Sequence, residues 1–328
     1  MRAMVVPRLG EPDVLTMEEI PEPAVGERDL LVEVHATSVN PKDCHMRRHG
    51  LGNRLELPFV LGYDVSGVVR ETGAAVERFR AGDAVYASPS MVRPGADAEL
   101  VAVDERLAAI KPGNLDHVHA AALPLVTITA WECLHQRTHL HTGETVLIQA
   151  GGGGVGHIAI QLAKLHDCRV IATASRPASM QLCAALGADV VVNYAEQDVV
   201  ERVFAATGGR GCPVVVDAVG GDVFTQSMRC LAPQGRLVTL LPPPENAPIH
   251  KLFSRGATLA LEFMSATTLH NMRLEAHSEI LQTVTELVEA DKLNVHVSET
   301  FDLEHLADAH RQQETGHTAG KIAIKVKA

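Results

Sequence analysis

The chain has 328 residues, enough for two domains with substantial cores. Hydrophobic residues make up 46% and charged ones 21%, the balance of a soluble globular enzyme, and a formal net charge of −11 argues against nucleic acid or an anionic membrane as partner. Aromatic content of 3% is too low for a base-stacking platform, no apolar run reaches membrane-spanning length, and the N-terminus lacks a signal-peptide pattern.

Six cysteines, at 44, 133, 168, 183, 212 and 230, are scattered without a C-x-x-C pair, so reduced thiols in a cytoplasm are expected. Residues 1 to about 115 read as β-rich, with short alternating strands such as 30–36 and 65–70 between Gly and Pro punctuation. From about residue 120 the pattern changes to alternating strands and helices. A buried strand at 145–149 precedes the glycine run 151–154. Val155, Ile158, Ala159, Leu162 and Ala163 then recur at helical spacing. Strands follow at 169–174, 190–193, 214–217 and 236–241, with 258–263 as a sixth. Helices at 177–186, 199–206 and 223–231 separate them, the first stopping at Gly187, a natural C-terminal cap. This order predicts an α/β fold with a doubly wound parallel sheet. The tail, with helices at 279–290 and 303–312 and a strand at 321–326, completes the first domain. The expected boundaries are 1–119, 120–263 and 264–328.

Gly151, Gly153 and Gly156 satisfy the G-x-G-x-x-G spacing between a strand and a helix. The three glycines permit a tight turn, close approach of backbone to a pyrophosphate, and close helix–strand packing. With Gly152, Gly154 and Val155 they present a helix N-terminus, where free N–H groups and a partial positive charge favour phosphate. In an NAD-specific site an acidic residue near the end of the second strand binds the ribose 2′-hydroxyl. No Asp or Glu occurs between Cys168 and Leu186; Ser175 and Arg176 stand there instead, suited to a 2′-phosphate, so NADPH is the expected cofactor. The alternative is that Arg176 is a solvated residue ahead of a helix whose first position is Pro177.

The chain resembles the medium-chain dehydrogenase/reductase superfamily, and within it the zinc-independent quinone oxidoreductase branch that includes zeta-crystallin. The resemblance is carried by residues 38–43 (SVNPKD), 58–67 (PFVLGYDVSG), 122–130 (ALPLVTITA), 148–164, 186–189 (LGAD) and 320–322 (GKI). It implies a GroES-like β-rich catalytic domain with a Rossmann domain, and a cleft between them as the active site. In zinc-dependent members a Cys and a His-Glu pair contact the metal. The resemblance puts Asn40 and Tyr63-Asp64 at those positions, poor zinc ligands beside thiolate and imidazole. No Cys lies between Cys44 and Cys133, so the structural zinc lobe is missing too, and no metal is expected. His45 and His49 share an i,i+4 spacing that can chelate a metal on a helix; His135 and His139 share it too and read as helix-surface residues, and among 17 histidines such pairs arise by chance.

Without a Lewis acid, hydride transfer favours acceptors that delocalise the arriving charge themselves, namely quinones and α,β-unsaturated carbonyls. The resemblance places Asn40 at the reacting centre, although an Asn-Pro turn residue is the alternative. It places His45 where relatives carry a Tyr near the substrate, a proton donor or simply an exposed imidazole. Tyr63 is expected either to present its hydroxyl to a substrate oxygen or to fill the core. The resemblance further adds Thr129 beside the nicotinamide, Tyr194 near the adenosine phosphate and Leu240 and Leu241 along the cofactor. Lys321 reaches the phosphates or serves as a strand-edge cation. Many relatives carry a Lys where Ser179 stands, so Arg176 takes that duty here. A homodimer joined at the edge strand 258–263 is expected. Two competing readings are a zinc-type alcohol dehydrogenase and a crystallin-like nucleotide-binding protein without turnover.

Overall fold

A computed structural model of the chain describes residues 1–53 and 56–327. The chain divides into two compact units, Met1–Ile128 with Ser265–Ala328, and Thr129–Met264.

The first unit is organised by one long strand, β3 (Asp29–Val39), which pairs with three others. Its sheet runs β16 (Val297–Asp302), β17 (Lys321–Lys325), β3, β6 (Val65–Thr72), β7 (Ala84–Ala87) and β9 (Ala108–Ile110), with β8 (Leu100–Asp104) also on β3. A small sheet joins β1 (Arg2–Val6), β2 (Thr16–Glu19) and β5 (Phe59–Val60), and β4 spans Gly50–Asn53. Leu30, Val32 and Val34 alternate along β3, so one face meets Val65, Val69, Val85, Val101 and Val103 in a common core. Two pairings matter for the chemistry. Helix α1 (Pro41–His49) follows β3 directly, begun by Asn40 and Pro41, with the Asp43 carboxylate reaching back to accept the Asn40 N–H. The returning strand β17 lies antiparallel to β3 with Ile322 opposite Val39, which sets Lys321 beside Asn40 across 281 positions of sequence.

The second unit is a six-stranded parallel sheet in the order β12 (Val190–Asn193), β11 (Arg169–Ala174), β10 (Thr145–Ile148), β13 (Cys212–Asp217), β14 (Leu231–Thr239), β15 (Thr258–Leu261). Val146, Leu147, Ile148, Val214, Val215 and Val216 are fully buried, as parallel strands covered on both faces must be. The order reverses at β10, between β11 and β13, and ligands of such sheets bind outside the strand C-termini at that point. Helices α2 (Gly154–Leu165), α3 (Pro177–Ala185), α4 (Val199–Ala206) and α5 (Gly221–Cys230) connect the strands. The fold is thus the α/β one expected, a β-rich domain and a doubly wound parallel sheet. Strand β14 begins five residues earlier than expected, at Leu231, so the preceding helix stops at Cys230 and Leu240 and Leu241 fall in the turn beyond. In the tail, α6 (Glu275–Glu289) starts at Glu275, and α7 (Leu306–Glu314) follows a short 3-10 turn.

Candidate functional site

Strand β10 ends at a pinned corner. The Gln149 side chain accepts from Thr173 Oγ1 at 2.9 Å and donates to Ser227 Oγ at 3.1 Å. Thr173 Oγ1 in turn accepts Ala150 N–H at 3.0 Å, and Ala150 takes a left-handed φ of 52° to open the loop. Gly151 then donates to the Thr173 carbonyl at 2.8 Å, and α2 begins at Gly154 with Gly153 as its cap residue. The glycines are required by space. A Cβ on Gly156 would sit 2.2 Å from the Ala150 carbonyl oxygen, and one on Gly152 2.6 Å from Ser179 Cβ. The first-turn N–H groups of α2 have no carbonyl within their own helix, so the corner is a built anion cradle, and a dinucleotide pyrophosphate fits it.

The other expected cofactor residues of this unit lie on turns after the strand C-termini, except Thr129. Ser175 and Arg176 follow β11. Arg176 caps α3 without a side-chain bond to it and stands exposed. Tyr194 follows β12 and is exposed, and Leu240 and Leu241 follow β14, with Leu241 lying against Gly220. Thr129 is buried in the helix Pro124–Trp131. In this unit one residue was missed from the sequence. Asp217 ends β13 fully buried, its Oδ1 accepting the N–H groups of Val219 and Gly220 at 2.9 Å each. Its Oδ2 has no partner among the described residues, and burial pushes its pKa up. An acidic residue closing the apolar run Val214–Val216 was the available signal.

In the first unit, Asn40 sits at the centre of a buried polar network. Its Nδ2 donates to Asp64 Oδ2 at 2.8 Å, and its Oδ1 accepts from the Lys321 ammonium. Asp64 also accepts from Ser38 Oγ at 2.6 Å and from the Leu125 N–H at 2.7 Å, so both carboxylate oxygens are engaged. Lys321 Nζ further donates to the Val39 carbonyl at 3.0 Å and lies 3.4 Å from Asp64 Oδ2. The ammonium of Lys321 is therefore committed to this network, with the residue 2% exposed, where the sequence left it between reaching the phosphates and a strand-edge cation. Burial lowers its pKa, and Asp64 and Asp43 oppose that. Tyr63 is 1% exposed with its hydroxyl unpartnered among the described residues; burial drives its pKa upward. Asp43 accepts the Asn40 N–H at 2.7 Å, yet burial raises its pKa to about 6. Lys42, which sequence reasoning passed over, holds Nζ 4.7 Å above the centre of the Tyr63 ring.

The network does not bring His45 in. His45 lies on the exposed side of α1, its ring 4.7 Å from that of His49, while Asp43, Met46 and Arg47 face inward. The two imidazoles line a shallow surface hollow of about 210 Å³ with Cys44, Arg48 and Glu314. The second pair is not formed at all. Residues Glu132–Arg137 are π-helical, so an i,i+4 chelate does not follow, and His135 Nε2 instead meets His166 Nε2 at 2.8 Å. The positions at which the resemblance places zinc ligands hold an amide bonded to an ammonium, a phenol, and a carboxylate already saturated. Zinc would face the Lys321 cation there, and this donor set does not fit it. Among the described residues, no group of three or more His, Cys, Asp or Glu is placed to hold a metal ion.

Residues 26–112 match the family described as alcohol dehydrogenase GroES-like domain, and residues 186–324 that described as zinc-binding dehydrogenase. The chain is 32% identical to a zinc-type alcohol dehydrogenase-like protein of Staphylococcus epidermidis, over 94% of this chain and 93% of the relative. It is also 32% identical to a chloroplastic NADPH-dependent alkenal/one oxidoreductase of Arabidopsis thaliana, over 99% of this chain and 79% of that one. Among solved structures, the Escherichia coli quinone oxidoreductase complexed with NADPH superimposes with a TM-score of 0.90 at 27% identity, covering 99% of this chain and all 100% of the other.

Proposed function

Because this chain belongs to the medium-chain dehydrogenase/reductase superfamily and is an oxidoreductase of the NAD(P)H-dependent kind, we propose that it uses NADPH to reduce a quinone or an α,β-unsaturated carbonyl without zinc. The observation that carries this reading is the Lys321–Asn40–Asp64 network. Where a zinc enzyme needs a Lewis acid, this chain has an amide and a carboxylate engaged by a buried cation, with the Tyr63 hydroxyl left unpartnered among the described residues. Such a site stabilises an oxygen that gains negative charge only if the acceptor itself spreads that charge, as conjugated carbonyls and quinones do.

NADPH, when bound, supplies the hydride. The glycine corner at 151–156 holds the pyrophosphate, Arg176 and Ser175 meet the 2′-phosphate, and Tyr194, Leu240, Leu241 and Thr129 border the cofactor. Asn40 and Tyr63 orient the acceptor oxygen. Six unpaired cysteines, all buried, support a reducing cytoplasm as the compartment. No helix among the described residues is long and apolar enough to cross a membrane. The edge strand β15 exposes Leu261, and Phe263 just beyond it is also exposed, which supports a homodimer formed across that edge; light scattering that reports the mass of one chain rejects it.

The test is NADPH oxidation, followed at its absorbance band, with a benzoquinone, an ortho-quinone and a short enal offered separately, alongside metal analysis of protein purified without a histidine tag. Turnover with at least one acceptor and no zinc is expected. Stoichiometric zinc, or tight NADPH binding with no turnover on any acceptor, overturns the reading.

A further inference from the structure

Reduction of a conjugated carbonyl needs a proton as well as a hydride, and His45, the sequence-based candidate, faces away from the buried network. Resting on the functional reading above, we propose that Lys42 is the proton donor of this enzyme, and that its natural acceptors are enones or enals, whose carbon must be protonated in the site.

The geometry singles out this ammonium among its neighbours. Lys42 follows Asn40 by two positions at the start of α1, and its stem turns inward to lay Nζ over the Tyr63 ring at 4.7 Å. There it donates to Ser265 Oγ and lies 3.5 Å from Met91 Sδ. Among its partners are thus a hydroxyl, a thioether and an aromatic face, groups that solvate a cation weakly. Burial accordingly lowers the Lys42 pKa to about 8, against the pull of Asp43 on its own helix and Asp64 beside Tyr63. Each other acid nearby is unsuited. Tyr63 is pushed to a higher pKa by burial, the protons of Lys321 are held by Asn40, Val39 and Asp64, and Asp43, raised to about 6, is mostly ionised at neutral pH. A donor works best when its pKa lies near the working pH, so that it holds the proton yet releases it at little cost. Asp97, the third carboxylate of this cluster, also has its pKa raised by burial.

In the reaction, a hydride and its electron pair add to the β-carbon of the acceptor, and the displaced π pair leaves an enolate. One N–H bond of the Lys42 ammonium breaks, a C–H bond forms at the α-carbon, and the neutral amine regains a proton from water. A quinone gains its two electrons on oxygen and leaves as a hydroquinone anion that water can protonate, so it depends less on this group.

Two measurements test the assignment. In protein free of cofactor, reductive 13C-methylation followed by NMR titration is expected to show one lysine with a midpoint near 8 that vanishes in Lys42→Arg. In steady-state assays, Lys42→Met and Lys42→Arg are both expected to lower the ratio of enal to quinone turnover by at least about tenfold, since Arg keeps the charge but cannot give up the proton. A midpoint above 10, or recovery of the ratio in Lys42→Arg, overturns the donor role, because charge alone would then suffice. An unchanged ratio in Lys42→Met while the wild type reduces the enal defeats the donor role and spares the functional reading. Failure of the wild type on both acceptors defeats both.

Discussion

Arg47 Nη1 lies 2.8 Å from His310 Nδ1. A guanidinium nitrogen can only donate, so the imidazole accepts at Nδ1 and carries its proton on Nε2, as a neutral ring. Arg47 is fully buried; it also donates to Glu314 Oε1 at 2.5 Å and to the Gly10 carbonyl at 3.0 Å, and thereby fastens α1 to α7. Burial, aided by the Arg47 charge, holds the His310 pKa down at about 3.

That depression makes stability depend on pH with a definite sign. Below the unfolded-state pKa of about 6.5 the unfolded chain binds a proton that the folded one refuses. The contribution of His310 is therefore fully present above about pH 6.5 and is lost as pH falls toward about 3. From this one ring the loss is at most about 1.4 kcal/mol per pH unit, or about 2 kcal/mol at pH 5. A His310→Gln variant can still accept from Arg47 through its amide oxygen and has no proton to gain. Urea unfolding at pH 7 and pH 5 is expected to show a smaller acid loss in the variant, by about 2 kcal/mol; equal losses in the two proteins refute the assignment of a neutral, buried ring.

The glycine corner yields a second expectation, in which stability and binding separate. A methyl on Gly156 meets backbone on two sides, 2.2 Å from the Ala150 oxygen and 2.8 Å from Gly151 Cα, and neither can retreat without moving α2 off the sheet. Gly156→Ala is expected to cost about 1–3 kcal/mol of stability and to weaken NADPH at least tenfold. At Gly153 the nearest atom is 3.3 Å away, and its backbone is extended, so Gly153→Ala folds nearly normally. On the proposed reading it still places a methyl where the pyrophosphate approaches. Thermal melts with NADPH titration by fluorescence check the pair; if Gly156→Ala binds as the wild type does, the cradle is not where the phosphates rest.

The parts of this molecule legible in the sequence are those governed by local pattern. Parallel strands covered on both faces leave apolar runs such as Val214–Val216, and the glycine spacing reports the packing of α2 on β10 directly. The polar network was only half legible. Asn40 and Tyr63 stood in recognisable surroundings, but Lys321 reaches Asn40 through the pairing of β17 with β3, and Lys42 meets Ser265 from 223 positions away. No periodicity encodes such meetings. A lysine in an exposed-looking turn and a lysine buried by remote chain have the same sequence signature. Spacing is uninformative at His135 for the opposite reason: i,i+4 implies a shared face only on an α-helix, and the backbone there is π-helical.

On the proposed reading, cofactor choice rests on one exposed cation. Arg176 stands where the chain leaves β11, and its guanidinium has no ion-pair or hydrogen-bond partner among the described residues. Its neighbour Ser175 offers a hydroxyl at the same turn, and no Asp or Glu occurs between Cys168 and Leu186 to bind a ribose 2′-hydroxyl or to repel a 2′-phosphate. A charge-assisted contact of guanidinium with phosphate is worth roughly 1.5–3 kcal/mol, and the NADH ribose offers nothing equivalent. Arg176→Ala is accordingly expected to raise the KM for NADPH about tenfold or more and that for NADH by less than about twofold, since 1.4 kcal/mol is a factor of ten. The exposed side chain makes no hydrogen bond or ion pair among the described residues, so the melting temperature stays put. Added salt gives an independent readout. Screening weakens NADPH binding in the wild type and barely touches it in the variant. Parallel rises in both KM values would mean that Arg176 acts on the turn itself, and that the preference for the phosphorylated cofactor is not set there.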